Sequence, residues 1–423
     1  MQVRLAYGRD GLTVDFPEER TTVIEPVYVE GLLDQQAAIA HALENPINSP
    51  PLSSLGGKEK RVAIAVCDVT RPMPSHLVVP EVLKQLKDVP NEKVTILVAT
   101  GTHRPSTRQE LERMLGPAVL NEFTVLNHAA FEESSLEELG RSSTGTPIWL
   151  NRKWLEADLK ITTGFVEPHF FAGFSGGPKL VAPGLAGIET IMSLHSAQLI
   201  GDPNSTWGIV DDNPLHSRIR EIARLTDVSF AVDVTINRDR QITRVFAGEL
   251  FEEHQRACLF ARKTAMQPVP DPFDIVVTTN SGYPLDLNLY QSVKGMSAAA
   301  RVVKKDGVIV CAAECSEGVP QHGEYADILA SAKDPCTMLK MINEPGYSRQ
   351  DQWEAQIQAL VQLKAKVYLK STFLTQDEVR AAHLTPTEDI ARTVRQEMEI
   401  RGPDSTVCVL PEGPQTIPYL LEN

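Results

Sequence analysis

Three apolar runs in the first half of the chain, "RVAIAVCDVTRP" (61–72), "KVTILVATGTHRP" (93–105) and "LKITTGFVEPH" (159–169), each open into a loop of Gly, Pro and charged residues. Each reads as a buried strand, and this recurrence constrains the fold more than any other feature. The segments between them, such as "SHLVVPEVLKQL" and "STRQELERMLG", carry helical spacing behind N-cap-like serines. Strand, loop, helix, strand specifies an α/β fold with a parallel sheet and covering helices. Such a sheet puts its binding loops at the carboxyl ends of its strands, and all three polar loops lie there. "VSFAVDVTINRDRQITRVFAGE" (228–249) reads instead as an antiparallel hairpin turning near Asn237 to Arg240.

A chain of 423 residues is too long for one ordinary core, so two α/β-sized domains are expected. The three prolines of "MQPVPDPF" (266–273) mark the linker, and the βα pattern restarts after it in "FDIVVTTNSGYP", "DGVIVCAAECSEG", "KVYLKS" and "STVCVLP". The expected division is 1–268 for a first domain carrying the polar loops and 272–423 for a second, with the last residues able to return onto the first. Neither half holds GxGxxG, which removes the dinucleotide fingerprint. A net charge of -14 argues against nucleic acid as partner. No apolar run approaches the roughly 20 residues of a membrane span. The N-terminal "MQVRLAYGRDG" alternates like a strand and lacks the apolar core of a signal peptide. The six cysteines form no CxxC pair, and Cys67, Cys311 and Cys408 lie in apolar runs as buried thiols. A reduced, cytoplasmic protein is the expectation.

The chemistry-bearing residues sit in the loops. "DVTRP" gives Asp68 and Arg71 directly after a strand; a guanidinium fork there suits a carboxylate or phosphate. "TGTHRP" places His103 beyond a glycine. "GFVEPHFFAGFSGGPKLVAPG" (164–184) supplies His169, aromatic walls from Phe170, Phe171 and Phe174, and then Ser175, Gly176 and Gly177, whose backbone N–H groups suit an anion nest ahead of Lys179. It is not a P-loop: Pro178 stands where Gly precedes the P-loop Lys, and Leu180 where Ser or Thr holds magnesium. Lys179 suits a phosphate partner or a nucleophile. "ETIMSLHSAQLIGDPNS" reads as a helix carrying His195. "LNLYQSVKGMSAAA" reads as a helix that sets Tyr290 and Lys294 at i, i+4, with Gln291 three residues before Lys294. Other histidines (His128, His216, His322) show that presence in the chain proves nothing.

Taken in order, "DVTRP", "GTHRP", "PHFFAGFSGGPK", the "LH" helix, "YQSVKG" and the tryptophan of "QDQWEAQ" resemble the nickel-pincer lactate racemase family over nearly the whole chain. The resemblance implies two α/β domains, each with a largely parallel sheet flanked by helices, and an active site in the cleft between them. It implies an isomerase that racemises or epimerises a 2-hydroxy acid, lactate or a relative, through a 2-keto acid. The implied cofactors are nickel and the nickel-pincer nucleotide, a pyridinium-3,5-bisthiocarboxylic acid mononucleotide, with Lys179 at the position of covalent attachment. His195 maps to the nickel ligand, a single imidazole completing a planar sulfur-carbon-sulfur set of the kind Ni(II) accepts. His103 and His169 map to the acid/base pair. Arg71, Lys294, Tyr290, Gln291 and Trp353 map to the substrate, and Asp68, Ser175, Gly176, Gly177 and Lys179 to the cofactor. The implied partners are the small hydroxy acid and, transiently, the cofactor-biosynthesis enzymes. Two other readings stay open at this point: a zinc hydrolase built on His103, His169 and His195, and a non-catalytic carrier of nickel or cofactor.

Overall fold

The computed structural model describes residues 1–320 and 323–421, which leaves His322 outside the described residues. The chain forms two compact units. One comprises Tyr28–His195 and Asn204–Arg262, the other Met1–Val27, Ser196–Pro203 and Lys263–Asn423.

The first unit is built on six strands, β1 (Val62–Cys67), β2 (Val94–Ala99), β3 (Thr124–Asn127), β4 (Leu159–Phe165), β5 (Phe230–Ile236) and β6 (Ile242–Gly248). Their order across the sheet is β6-β5-β4-β1-β2-β3. All neighbours are parallel except β5 and β6, the hairpin anticipated at 228–249. Every residue of β1 is buried, as a central strand covered on both faces requires. From β1 the chain winds outward through β2 and β3, then returns to place β4 on the other side of β1. The loops after β1 and β4 therefore diverge at a topological switch point, where open α/β sheets bind ligands. Asp68 and Arg71 follow β1, His103 follows β2, and His169 and the glycine loop follow β4.

Three helices of this unit bear on the site. α1 (Ile188–Leu194) ends at His195, its C-cap residue. α2 (Pro214–Leu225) starts on the Asn213 cap with proline in its first turn, and α3 (Leu250–Ala265) follows the hairpin. The helix expected through His195 is two helices: Ser196, in extended backbone, caps a separate turn at Ala197–Ile200. The sequence pattern runs apolar through the break, so periodicity alone does not reveal it.

The second unit has strands β7 (Phe273–Thr279), β8 (Val303–Ala312), β9 (Ala365–Lys370), β10 (Thr385–Pro386) and β11 (Val407–Leu410). They are parallel in the order β10-β9-β8-β7-β11, and the short strand Thr21–Val23 continues the sheet beside β11. The first 27 residues, placed with the first domain by the expected division, belong to this unit. Met266–Val269, inside the expected linker, is a strand parallel to Ile417–Leu420. α4 (Leu289–Ala300) starts on the Asn288 cap, and α6 (Gln352–Lys364), preceded in the chain by α5 (Tyr325–Ser331), is buried on nearly all sides. No helix among the described residues is long and apolar enough to cross a membrane.

Candidate active site

Asp68 is 5% exposed and accepts from three donors. His103 Nδ1 donates to Oδ2 at 2.7 Å, and the Thr70 hydroxyl and N–H reach Oδ1 at 2.6 and 3.2 Å. Burial pushes the carboxyl up, but the His103 bond and charge, Thr70 and Arg71 together hold it below the ordinary carboxylate range. An ionised carboxylate accepts only, so the proton on this edge of His103 sits on Nδ1 and the lone pair of the neutral ring sits on Nε2. The ring is half exposed. His103 is thereby oriented as a base.

His169 has the opposite arrangement. It is buried, and its Nδ1 accepts from the N–H groups of Phe171 and Ala172 at 3.4 and 3.3 Å. Backbone amides only donate, so the neutral ring carries its proton on Nε2 and presents a hydrogen-bond donor there. The two histidines follow β2 and β4, the strands on either side of β1, and differ in which ring nitrogen carries the proton.

Phe171 organises the rest. Its ring lies 4.6 Å from that of His169, 5.3 Å from that of His195 and 5.7 Å from Lys179 Nζ. His195 Nδ1 donates to Ile191 O at 2.7 Å, one turn back on α1. That bond leaves the lone pair on Nε2, the tautomer a metal-bound imidazole needs. Burial lowers its pKa to about 4, the Ile191 bond opposing and the Lys179 charge adding, so the ring is neutral at physiological pH. A single neutral, buried imidazole beside a lysine fits a metal centre whose other donors come from a cofactor. Among the described residues no three His, Cys, Asp or Glu side chains gather to hold a metal by themselves.

The glycine loop is packed rather than open. Ser175 N–H donates to Glu167 O at 2.9 Å and Gly177 N–H to Asp233 Oδ2 at 2.8 Å, so two of the three amides expected to form an anion nest face protein acceptors. The Ser175 hydroxyl donates to Phe165 O at 2.7 Å and braces the loop. Gly176 and Gly177 have φ of +76° and +47°. A Cβ at 177 would enter the His254 ring, and one at 176 would lie 2.6 Å from Val166 Cγ2. The glycines therefore serve close packing and left-handed backbone. Pro178 falls within the first two residues of the 3-10 turn Gly177–Leu180, where its fixed φ fits and its missing N–H costs nothing. Lys179 follows, half-buried.

Arg71 Nη1 contacts Glu167 Oε1 at 2.5 Å, both side chains about a third exposed. Sequence reasoning misses Glu167; its place two residues before His169 in "VEPH" is the only signal. In the second unit, Tyr290, Gln291 and Lys294 share α4 as expected. Lys294 Nζ donates to Gln291 Oε1 at 2.5 Å, and Trp353 Nε1 to Tyr290 Oη at 3.0 Å. Beside them Glu354 on α6 is fully buried, and among the described residues no donor reaches either of its carboxylate oxygens. Burial pushes it up to about 8 against the pull of the Lys294 ammonium.

The chain matches the family models for the lactate racemase N-terminal domain over residues 7–208 and the lactate racemase C-terminal domain over 269–417. It is 34% identical to the lactate racemase of Thermoanaerobacterium thermosaccharolyticum, covering 98% of both chains. It is 35% identical to that of Lactiplantibacillus plantarum, covering 97% of this chain and 98% of the relative. The structure of the lactate racemase apoprotein from T. thermosaccharolyticum superposes with a TM-score of 0.93 at 32% identity over 100% of both chains. A Thermotoga maritima protein, at 20% identity, a TM-score of 0.71 and coverage of 93% of this chain and 100% of that one, shares the fold. Fold and comparisons together define a two-domain α/β enzyme, an isomerase. The chain belongs to the lactate racemase family.

Proposed function

We propose that this chain racemises lactate or a closely related 2-hydroxy acid, with a 2-keto acid as the intermediate. The observation that carries the reading is the pair of histidines with opposite Nδ1 partners, His103 bonded to Asp68 and His169 to backbone amides. A racemase needs a proton acceptor for the substrate hydroxyl and a donor to the substrate oxygen from the other side, and the Nε2 lone pair of His103 and the Nε2–H of His169 offer one of each.

The carboxylate beside Cα opposes a carbanion, so the Cα hydrogen leaves with its electron pair while a histidine Nε2 takes the hydroxyl proton. Nickel and the pincer pyridinium nucleotide, when bound, would supply an electrophilic carbon for that hydrogen. His195 would hold the metal through Nε2 and Lys179 would hold the nucleotide. Arg71, oriented by Glu167, and Lys294, carried by Gln291, would bind the substrate carboxylate, and Tyr290 and Trp353 would wall the substrate. Asp68 acts through His103 in this reading. The family relation and the six free cysteines, five of them buried, support a cytoplasmic enzyme that meets the cofactor-biosynthesis enzymes transiently.

The hydrolase alternative needs three protein ligands around one metal, and among the described residues no three His, Cys, Asp or Glu side chains gather to hold one. Orientation of His103 by a buried carboxylate favours turnover over carriage. The deciding experiment runs cofactor-loaded enzyme on Cα-deuterated lactate in ordinary water and reads the inverted product by mass spectrometry. Retention of most of the deuterium is expected; near-complete loss in the first turnovers would indicate proton abstraction and sink the proposal.

A further inference from the structure

The buried stripe of α3, Leu250, Glu253, His254, Ala257, Cys258 and Ala261, follows i, i+3, i+4 spacing but includes three groups that can titrate. Glu253 is fully buried and Asp233, on β5, is 1% exposed. Each carboxyl group bears on the other's protonation from within hydrogen-bonding reach. Two ionised carboxylates cannot bond to each other, since each only accepts. Among the described residues no N–H or O–H of a third residue reaches Asp233 Oδ1 or either oxygen of Glu253. A hydrogen bond between them therefore requires an acid proton. The fourth oxygen, Asp233 Oδ2, accepts the Gly177 N–H at 2.8 Å. Next along α3, His254 Nε2 donates to Ser175 O at 2.9 Å. The turn from Ser175 to Gly177 thus rests on two consecutive residues of α3, one of them acting through Asp233.

We propose that Asp233 and Glu253 are positioning residues for Lys179, sharing one proton in an acid–carboxylate pair that fixes the Gly176–Gly177 turn from beneath. Lys179 lies two residues beyond the anchored amide, and its own N–H donates to Gly176 O at 3.1 Å. A Cβ on Gly176 would stand 2.9 Å from Asp233 Oδ2, so the turn packs directly on the carboxyl. Burial pushes both acids up, Asp233 to about 7 with the Gly177 bond opposing, and Glu253 well above its usual value with the Asp233 charge adding. The other titratable groups around the pair are Glu249, His254 and Cys258 along α3, Cys67 on β1, and Lys179 above. Burial keeps the two thiols protonated and His254, lowered to about 4, neutral. The role of Lys179 rests on the function proposed above; the shared proton does not.

The sign follows from the raised carboxyls. The proton that ties the pair is present at low pH and is lost as pH rises through the folded-state pKa, which loosens the loop on the alkaline side. Amide hydrogen exchange of the segment 173–182, read by mass spectrometry on the purified full chain between about pH 6 and 9 and corrected for intrinsic rates, tests this. Glu253→Gln replaces the acid with a carboxamide that donates to Asp233 at every pH. Wild-type protection should fall with pH by up to tenfold per unit above the pair's pKa, while the Gln variant stays protected throughout. Parallel profiles in the two proteins, or an unprotected loop in the Gln variant at low pH, would overturn the proposal. Glu253→Leu, which removes the donor, should raise the acetylation rate of Lys179 several-fold at fixed pH. An unchanged rate would disconnect the pair from Lys179 and overturn it as well. If the Leu variant does not fold, wild type against the Gln variant above about pH 8 gives the same comparison. Neither measurement involves cofactor or turnover, so its failure and a failure of the racemase reading are separately visible.

Discussion

His103 and His169 differ in what their Nδ1 atoms meet, and that difference can be inverted at one atom. In Asp68→Asn the amide can donate to His103 Nδ1, which moves the ring proton to Nε2 and removes the base. Turnover should fall on the order of 10²–10⁴-fold in both directions, with KM little changed. Steady-state kinetics on cofactor-loaded protein checks this, and an unchanged kcat would leave Asp68 a structural residue. His195→Ala should fold and lose nickel, because one imidazole is the only protein donor proposed for the metal; full occupancy by elemental analysis would move the ligand elsewhere. At this scale the placement of Arg71, His103 and His169 just beyond strand ends was legible, because apolar strand runs stop where polar loops begin. Asp68 was legible as a residue but not as the partner of His103, since the two stand 35 positions apart and only the parallel pairing of β1 with β2 joins them. Phe171 read as one wall among several; that His169, His195 and Lys179 all meet it depends on the fold of the loop.

The glycine loop is an element whose cost of alteration divides into two parts. Gly177→Ala forces an L side chain to φ +47° and drives a Cβ into the His254 ring. Roughly 1–2 kcal/mol for the backbone and another 1–3 for overpacking are expected. Gly145 has φ +86° and open space where a Cβ would stand, so Gly145→Ala should show the backbone part alone. Urea unfolding of both variants measures the difference; equal losses would mean that the loop yields to the methyl group. The strands, the hairpin and α4 were readable because each is a local pattern bounded by turn residues. The end of α1 at His195 was not, because the apolar spacing of "IMSLHSAQLI" continues through Ser196. The titratable stripe of α3 escaped too: "LFEEHQRACLFARK" looks like an ordinary amphipathic helix until tertiary packing shows that Glu253 and His254 face inward.

On the scale of the whole molecule, the chain leaves one unit for the other at Val27, His195, Pro203 and Arg262. A proline-rich segment advertises only the last of these crossings, since the others join residues that meet through nonlocal packing. The second unit's core shows the consequence. Val3, Leu5, Tyr7, Val14 and Phe16, from the N-terminal hairpin, are buried together with Ile275, Val277, Val308, Val310, Val394, Met398, Val407 and Val409, and Thr21–Val23 pairs with β11. A fragment beginning at residue 269 would lose those five side chains from its core. At about 1.5–3 kcal/mol for each buried large apolar side chain, the loss is on the order of 10 kcal/mol, as large as the whole stability of a typical domain. It would also expose β11 as an open apolar edge. The fragment 269–423 should therefore be unfolded or aggregated. The same fragment carrying residues 1–27 through a flexible linker at its N-terminus should be folded, with a cooperative thermal transition and protected amides in β11. Circular dichroism and amide exchange on the two proteins decide it. A cooperative transition in the short fragment alone would show that the hairpin decorates this core rather than completing it.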